Sequence, residues 1–297
     1  MSDVLDPTTL TSAALNRKVF VALSAGAAAT VSAAPARAGG AGEFGRPHPP
    51  IVAPDDPAIV AQHVRLARPD ITLDAYAAWP AHAAPETPGI VLVQHIWGVD
   101  ATLRDDVRRY AKAGFICIAP NLYGRSPAPS GDGATDADPF RPAAAALVDD
   151  VVRGDLTAAR AWIAAKAAQA KIGISGFCMG GGIALKQLIG TNDYGAASIF
   201  YGDVRPGTPR TAPTTPSTFA YAASISTPMR GNYGARDTSI APADVQTLYS
   251  LLRPPHELDV YPLAGHAFFD DTRPSYVASA ADDAWTKTVA WFNRFLA

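Results

Sequence analysis

An α/β fold, with a mostly parallel sheet and helices on both of its faces, is predicted for this chain by two features of its sequence. Short apolar runs alternate with longer helical patterns, and several runs are apolar throughout, as in strands buried on both faces. The chain also holds 24 Gly and 26 Pro residues, which mark frequent turns between elements. Its 48% of hydrophobic residues is sufficient for a sizeable core.

The predicted elements follow in order, with one helix capped by Thr102 and ended by Gly114. A long polar loop covers residues 120–142, and the helical stretch after it has a predicted break at Gly154. The predicted strands are residues 59–67, 71–78, 89–94, 115–119, 171–174, 195–201, 227–233 and 257–261. The predicted helices are residues 102–113, 143–170, 179–189, 242–252 and 278–296.

Charge and cysteine content exclude several classes of protein. The chain has 297 residues and a formal charge of −2, without a long basic run, which argues against a nucleic-acid partner. Two cysteines, Cys117 and Cys178, are too few for a disulfide scaffold. Six scattered histidines and no Cys-x-x-Cys pair give no sign of a structural metal site.

The first 38 residues are predicted to be an export signal. An apolar stretch at residues 19–34 follows Arg17-Lys18 and ends before Ala36-Arg37-Ala38, a small-x-small cleavage site. The long polar lead-in resembles a twin-arginine signal, although Arg-Lys stands in place of Arg-Arg. We therefore expect export, to the periplasm, with a disordered Ala-rich tail on a cytoplasmic protein as the alternative. Residues 39–57 read as a linker, and residues 58–297 as a single domain with no stable membrane span.

A glycine-rich turn at residues 171–182 is the most informative segment. Its glycine spacing fits neither a dinucleotide fingerprint nor a phosphate loop. Gly176-Phe177-Cys178-Met179-Gly180 instead fits a nucleophile elbow, in which a strained strand-to-helix turn presents a nucleophile, here Cys178. The helix N-terminus below the sulfur favours its thiolate. The alternative is a small-residue packing turn with an inert cysteine; Cys117, between isoleucines in a strand, is expected to be a core thiol.

Candidate partners for this thiol follow two later strands. Asp237, in Gly-Ala-Arg-Asp, and His266, in Ala-Gly-His-Ala, come after the nucleophile in the order acid, base, as in the α/β-hydrolase triad. Asp203 is a rival acid that follows an earlier strand, and His256 reads as an exposed turn residue.

These motifs resemble the dienelactone hydrolase (carboxymethylenebutenolidase) family of α/β-hydrolases from about residue 59 to the C-terminus. The resemblance rests on residues 92–98, 119–125, 176–181, 234–237 and 265–268. It implies a triad of Cys178, His266 and Asp237, with an oxyanion hole from the backbone N–H groups of Ile96 and Met179. No metal or organic cofactor is implied.

Two departures from the family pattern concern the substrate. His95 stands where the family usually has a Glu that contacts the resting thiol, and it is either a second proton carrier or a pocket wall. Asp270 replaces an Arg that clamps the substrate carboxylate, whereas Arg125 matches the other clamp residue, unless it is a solvated loop residue. Trp97 and Tyr123 are expected to line the pocket.

The sequence thus predicts an exported hydrolase that opens a small lactone or ester through an acyl-cysteine intermediate. A dienelactone-like substrate is implied by the resemblance alone. The alternatives are a broader esterase that acts on neutral esters and a non-catalytic binding protein on the same fold. Nothing in the sequence indicates an oligomeric state.

Overall fold

The computed structural model describes residues 44–204, 218–253 and 255–297. The predicted export signal, residues 1–38, and the first residues of the predicted linker lie outside this part of the chain. Among the described residues, no helix combines the length and apolar character needed to cross a membrane.

An eight-stranded sheet forms the centre of the fold, in the order β1-β2-β4-β3-β5-β6-β7-β8. The first two strands are antiparallel to each other, and β2 is antiparallel to β4, while the strands from β4 to β8 are all parallel. The strands are β1 (Ile59–Ala67), β2 (Thr72–Pro80), β3 (Gly89–Val93), β4 (Ile116–Pro120), β5 (Ile172–Phe177), β6 (Ala197–Phe200), β7 (Met229–Gly234) and β8 (His256–Tyr261). Since β3 to β7 are buried along their whole length, their apolar runs fit a sheet covered on both faces.

Helices pack on both faces of this sheet. A Cβ at Gly89 of β3 would touch Ile163 of α3, whereas one at Gly173 of β5 would touch Phe292 of α7 on the opposite face. Tyr110 of α1 packs against Trp285 of α7, which places α1 and α7 on the same face. The helices are α1 (Ala101–Lys112), α2 (Arg141–Ala145), α3 (Asp149–Lys166), α4 (Met179–Gln187), α5 (Thr218–Tyr221), α6 (Pro242–Leu251) and α7 (Ala278–Leu296).

Two local predictions about helix ends were wrong. Helix α1 is capped by Asp100, whose Oδ1 accepts a hydrogen bond from the Leu103 N–H, and not by Thr102. The break after residue 143 falls between α2 and α3, and Gly154 lies inside α3. There a Cβ would overlap the Arg68 guanidinium, which pairs with Asp155, so packing against Arg68 favours glycine at this position within the helix.

The described part of the predicted linker packs against the domain. The backbone N–H groups of Ile51 and Val52 donate to the two carboxylate oxygens of Asp105 on α1, at 2.9 Å each. The Gly45 N–H donates to the Asp271 carbonyl, and the His48 ring lies 3.3 Å from the Asp271 carboxylate. This segment therefore reaches the loop that follows β8, which carries His266.

Candidate active site

The turn between β5 and α4 has the geometry of a nucleophile elbow. Cys178 caps α4 with φ 54° and ψ −118°, a backbone conformation that is strained for any residue other than glycine. A Cβ at Gly176 would come within 2.3 Å of the Gly180 carbonyl, and one at Gly180 within 2.3 Å of the Val93 carbonyl. Both flanking glycines are therefore required by close backbone contacts, as the spacing predicts.

The structure brings the three side chains of the predicted triad together. His266 Nε2 lies 3.0 Å from Cys178 Sγ, and His266 Nδ1 lies 2.8 Å from Asp237 Oδ2. The other oxygen of Asp237 accepts hydrogen bonds from the backbone N–H groups of Ser239 at 2.7 Å and Ile240 at 3.0 Å. Asp237 is thus fixed by its own loop, and it can orient the imidazole toward the sulfur.

The electrostatics of this group favour a thiolate beside an imidazolium. Burial raises the pKa of the Cys178 thiol, but the hydrogen bond with His266 and the Met179 N–H outweigh burial and lower it. Burial lowers the pKa of His266, but Asp237 and Cys178 raise it to about 10. Although burial also opposes ionisation of Asp237, its hydrogen bonds hold the pKa of that carboxyl below its ordinary value.

The predicted oxyanion donors belong to two segments that line the same pocket as Cys178. Met179 is the first residue of α4, and Ile96 lies in the turn after β3. The Tyr123 hydroxyl donates to the Ile96 carbonyl at 3.0 Å and lies 3.6 Å from Met179 Sδ, so it connects both segments. Tyr123 is buried beneath this turn and is not among the residues that line the pocket.

A cavity of about 470 Å³ opens beside Cys178. His95, Trp97 and Asp270 line it together with the residues of the elbow and His266. Its size and mixed lining suit a small organic substrate. Within the described residues, no group of three or more His, Cys, Asp or Glu side chains has the arrangement of a metal site.

Comparison with known proteins shows which family this chain belongs to. The model of the dienelactone hydrolase family matches residues 73–296, which include the elbow and both later loops. The chain belongs to the dienelactone hydrolase family.

Several relatives of the dienelactone hydrolase family cover most of this chain. A protein of Escherichia coli K12, provisionally named a carboxymethylenebutenolidase, is 33% identical over 249 residues, which are 82% of this chain and 91% of that protein. One from Methylorubrum extorquens AM1, with the same provisional name, is 34% identical and covers 82% of this chain and 84% of its own length. The protein is accordingly a hydrolase.

Solved structures of this family and its neighbours share the fold. The crystal structure of a provisionally named dienelactone hydrolase from Klebsiella pneumoniae is 32% identical, with a TM-score of 0.73 over 80% of this chain and 100% of that chain. A dienelactone hydrolase-like promiscuous phosphotriesterase from metagenomic libraries is 18% identical with a TM-score of 0.60 and shows the fold alone.

Arg125, the residue that matches a dienelactone hydrolase clamp position, lies away from the pocket. Its guanidinium forms ion pairs with Asp70 at 2.6 Å and with the buried Asp155 at 2.7 Å. Arg68 bonds to the same Asp155 carboxylate at 2.8 Å. Arg125 therefore connects the loop after β4 to α3 and to the turn between β1 and β2, and it is not among the residues that line the pocket, as a substrate anchor would be.

Arg273 is one of two arginines that line the pocket among the described residues; the other, Arg141, is exposed and pairs with Asp138 at 2.7 Å. The Arg273 guanidinium stacks over the Trp97 ring, 4.0 Å from the centroid, and donates to the Ala134 carbonyl at 2.7 Å. Asp270 also faces the pocket and lies 3.3 Å from Arg273 Nε. Arg273, seven residues after His266, therefore lies at the pocket wall beside Asp270, the residue that stands where the clamp arginine was expected.

Two residues of the site were not identified from the sequence. Asp100 lies 3.3 Å from His95 Nε2. An Asp directly before a helix is a typical N-cap, so the sequence contains a signal from which this residue could have been identified. Asp106 of α1 also lines the pocket and pairs with Arg109 at 2.8 Å. Burial and neighbouring carboxylates raise the pKa of Asp106 to about 8. Only the tertiary packing of α1 reveals its position.

Proposed function

We propose that this protein opens a lactone or ester through an acyl-cysteine intermediate, with Cys178, His266 and Asp237 as its catalytic triad. One observation carries the proposal, the continuous contact from Sγ through the imidazole to the Asp237 carboxylate, at 3.0 and 2.8 Å. A buried cysteine with a structural role needs neither a strained backbone nor an oriented histidine beside it.

The reaction takes place in two steps. The Cys178 thiolate attacks the carbonyl carbon, and the N–H groups of Ile96 and Met179 stabilise the resulting oxyanion. As the tetrahedral intermediate collapses, the C–O bond breaks and the His266 imidazolium gives its proton to the leaving oxygen. His266 then takes a proton from water, which attacks the thioester, and the acid product leaves while the thiolate is regenerated.

The proposed substrate is a small lactone or ester, and a dienelactone is the first choice because the relatives' provisional names indicate it. Arg273 supports a carboxylate on that substrate, since it is a cation at the pocket wall. The Asp270 carboxylate beside Arg273 weakens the preference for an anionic substrate. A broader esterase that acts on neutral esters is therefore the second candidate. A panel of lactones and aryl esters, with and without a carboxylate, tests the choice through kcat/KM.

Substitution of Arg273 by Gln is expected to raise KM about tenfold for an anionic dienelactone, because a hydrogen bond to a charged group is lost. KM for a neutral aryl ester should change less than threefold. Arg125→Ala is the control: it should lower Tm, through loss of the contact with buried Asp155, and leave the ratio of the two KM values unchanged. Equal effects of Arg273→Gln on both substrates would contradict a carboxylate anchor.

Alkylation of Cys178 by iodoacetamide is expected to have its midpoint below the pH at which an ordinary thiol reacts, because the pKa of Cys178 is lowered. Substitution of His266 by Ala removes the hydrogen bond and should move that midpoint upward. Rates measured against pH by mass spectrometry give both values. Identical midpoints in the two proteins would show that His266 does not stabilise the thiolate.

We also propose that residues 1–38 direct export and are removed. The native protein should then begin close to Gly39 and be recovered outside the cytoplasm, because the small-x-small site ends at Ala38. N-terminal sequencing of protein from each cell fraction tests this. Met1 or Ser2 at the N-terminus of the active protein, found in the cytoplasm, would refute it.

A further inference from the structure

One peptide group in the turn after β3 is held at both ends by buried side chains. Its carbonyl, that of Ile96, accepts a hydrogen bond from the Tyr123 hydroxyl at 3.0 Å. Its N–H, that of Trp97, donates to His95 Nδ1 at 3.2 Å. Because both side chains are buried, these two contacts determine the orientation of the peptide plane.

The neighbouring peptide group contains the N–H that the proposed reaction needs. Its carbonyl, that of His95, accepts from the Gly98 N–H at 3.2 Å. Its N–H, that of Ile96, has no acceptor in the part of the chain that the structure describes. Only the φ and ψ angles of Ile96 separate the two peptide planes, and the His95 carbonyl is itself held by Gly98, so a contact that fixes the Ile96–Trp97 peptide restricts the direction of the Ile96 N–H.

We propose that His95 is a positioning residue for the oxyanion hole, in which its neutral ring acts as a hydrogen-bond acceptor that, with Tyr123, holds the Ile96–Trp97 peptide in place. The proposal rests on the acyl-cysteine function above and adds a role for the residue that replaces the family's glutamate. His95 acts through the backbone, and it does not exchange a proton with the substrate.

The Asp100 carboxylate favours the tautomer that this role requires through its charge and proximity, although His95 Nε2 lies outside hydrogen-bond geometry. Since Nδ1 accepts from an N–H, the hydrogen-bond pattern assigns the ring proton to Nε2, which lies 3.3 Å from Asp100 Oδ1. Asp100 is itself held by the Leu103 N–H at 2.9 Å, as the cap of α1. A proton added to Nδ1 would point at the Trp97 N–H, and the hydrogen bond from Trp97 N–H to His95 would be lost.

Protonation of His95 therefore makes the oxyanion hole sensitive to acid. Charged groups face the ring from three elements: Asp100 at the start of α1, Asp270 after β8 and Cys178 in the elbow. Burial lowers the pKa of His95, but these three groups together raise it above its ordinary value. As pH falls through this raised pKa, the Trp97 N–H loses its acceptor and kcat should fall with it.

Two substitutions at His95 test whether its side chain acts as a hydrogen-bond acceptor or only fills space. His95→Leu removes the acceptor and should lower kcat by about 10- to 100-fold with little change in KM, as expected when a donor is misplaced. His95→Asn places an oxygen near the position of Nδ1 but cannot gain a proton. It should recover most of the lost kcat and move the acid limb of kcat to lower pH.

Tyr123→Phe removes the contact at the other end of the same peptide. The loss in log kcat of the double variant should be smaller than the sum of the losses of Tyr123→Phe and His95→Leu, because either substitution alone releases the peptide. A kcat in His95→Leu equal to that of the unchanged protein would overturn the proposal. An unchanged acid limb in His95→Asn, or fully additive losses in the double variant, would also overturn it.

Iodoacetamide alkylation and Tm of each variant show whether fold and thiolate are intact. Normal alkylation with reduced kcat in His95→Leu is the expected result and assigns the loss to the oxyanion hole. Impaired alkylation in both His95 variants would show that the residue shapes the elbow instead. Failure of the proposed function gives a different result: Cys178→Ala would then still turn over substrate. If Cys178→Ala is inactive and His95→Leu is fully active, only the positioning role is refuted.

Discussion

Cys178→Ala is expected to abolish ester and lactone hydrolysis, with kcat/KM reduced at least about 10⁴-fold, because no other nucleophile lies at the elbow. The substitution removes only a sulfur atom, so Tm should stay close to that of the unchanged protein. Cys178→Ser should be nearly as inactive, since a hydroxyl is not ionised by a histidine that is matched to a thiol. Steady-state rates on a p-nitrophenyl ester and a dienelactone measure both variants.

The other cysteine provides the control for this experiment. Cys117 is buried in β4, and burial raises the pKa of its thiol well above the ordinary value, so it is unreactive. Cys117→Ala should retain the activity of the unchanged protein with a small loss of Tm. Substantial turnover by Cys178→Ala would contradict the acyl-cysteine mechanism.

Asp237→Asn is expected to lower kcat by about 10³- to 10⁴-fold while KM changes little. The asparagine oxygen can still accept from the Ser239 and Ile240 N–H groups, which directs its NH₂ group toward His266. The imidazole must then accept at Nδ1 and carry its proton on Nε2, which is the wrong tautomer for a base toward the sulfur. Because the fold of the loop is preserved, Tm should remain nearly constant.

Asp203 is the matched control for Asp237, since it is the rival acid that the sequence offers. Asp203 follows β6, whereas the carboxylate in contact with His266 is that of Asp237. Asp203→Asn should therefore change kcat less than tenfold. A larger loss of kcat in Asp203→Asn than in Asp237→Asn would show that Asp203, and not Asp237, orients His266.

The parts of the fold that depend on local patterns were predictable from the sequence. The apolar runs that became β3 to β7, and the glycines around Cys178, follow from short-range steric and burial requirements. The residues Asp237 and His266 were predictable because loops after parallel strands meet at one edge of the sheet. In the structure, the same arrangement brings both of them to the elbow.

Contacts between distant segments could not be predicted in this way. The sequence does not show that Asp70 and Asp155 converge on Arg125, or that Arg273 turns back over Trp97. Asp106 is a further case, because an acid on the buried face of α1 contradicts the helical pattern that locates the helix. Each depends on packing between elements far apart in the chain.

The most direct test of the account is the mass of the Cys178 peptide during turnover. The protein is mixed with an excess of a p-nitrophenyl ester, quenched in acid after one turnover, digested and analysed by mass spectrometry. An acyl adduct is expected on the peptide that contains Cys178; it should form with the burst of p-nitrophenol and disappear as the ester is consumed. A burst with an unmodified Cys178 peptide, or an adduct on another residue, would contradict the account.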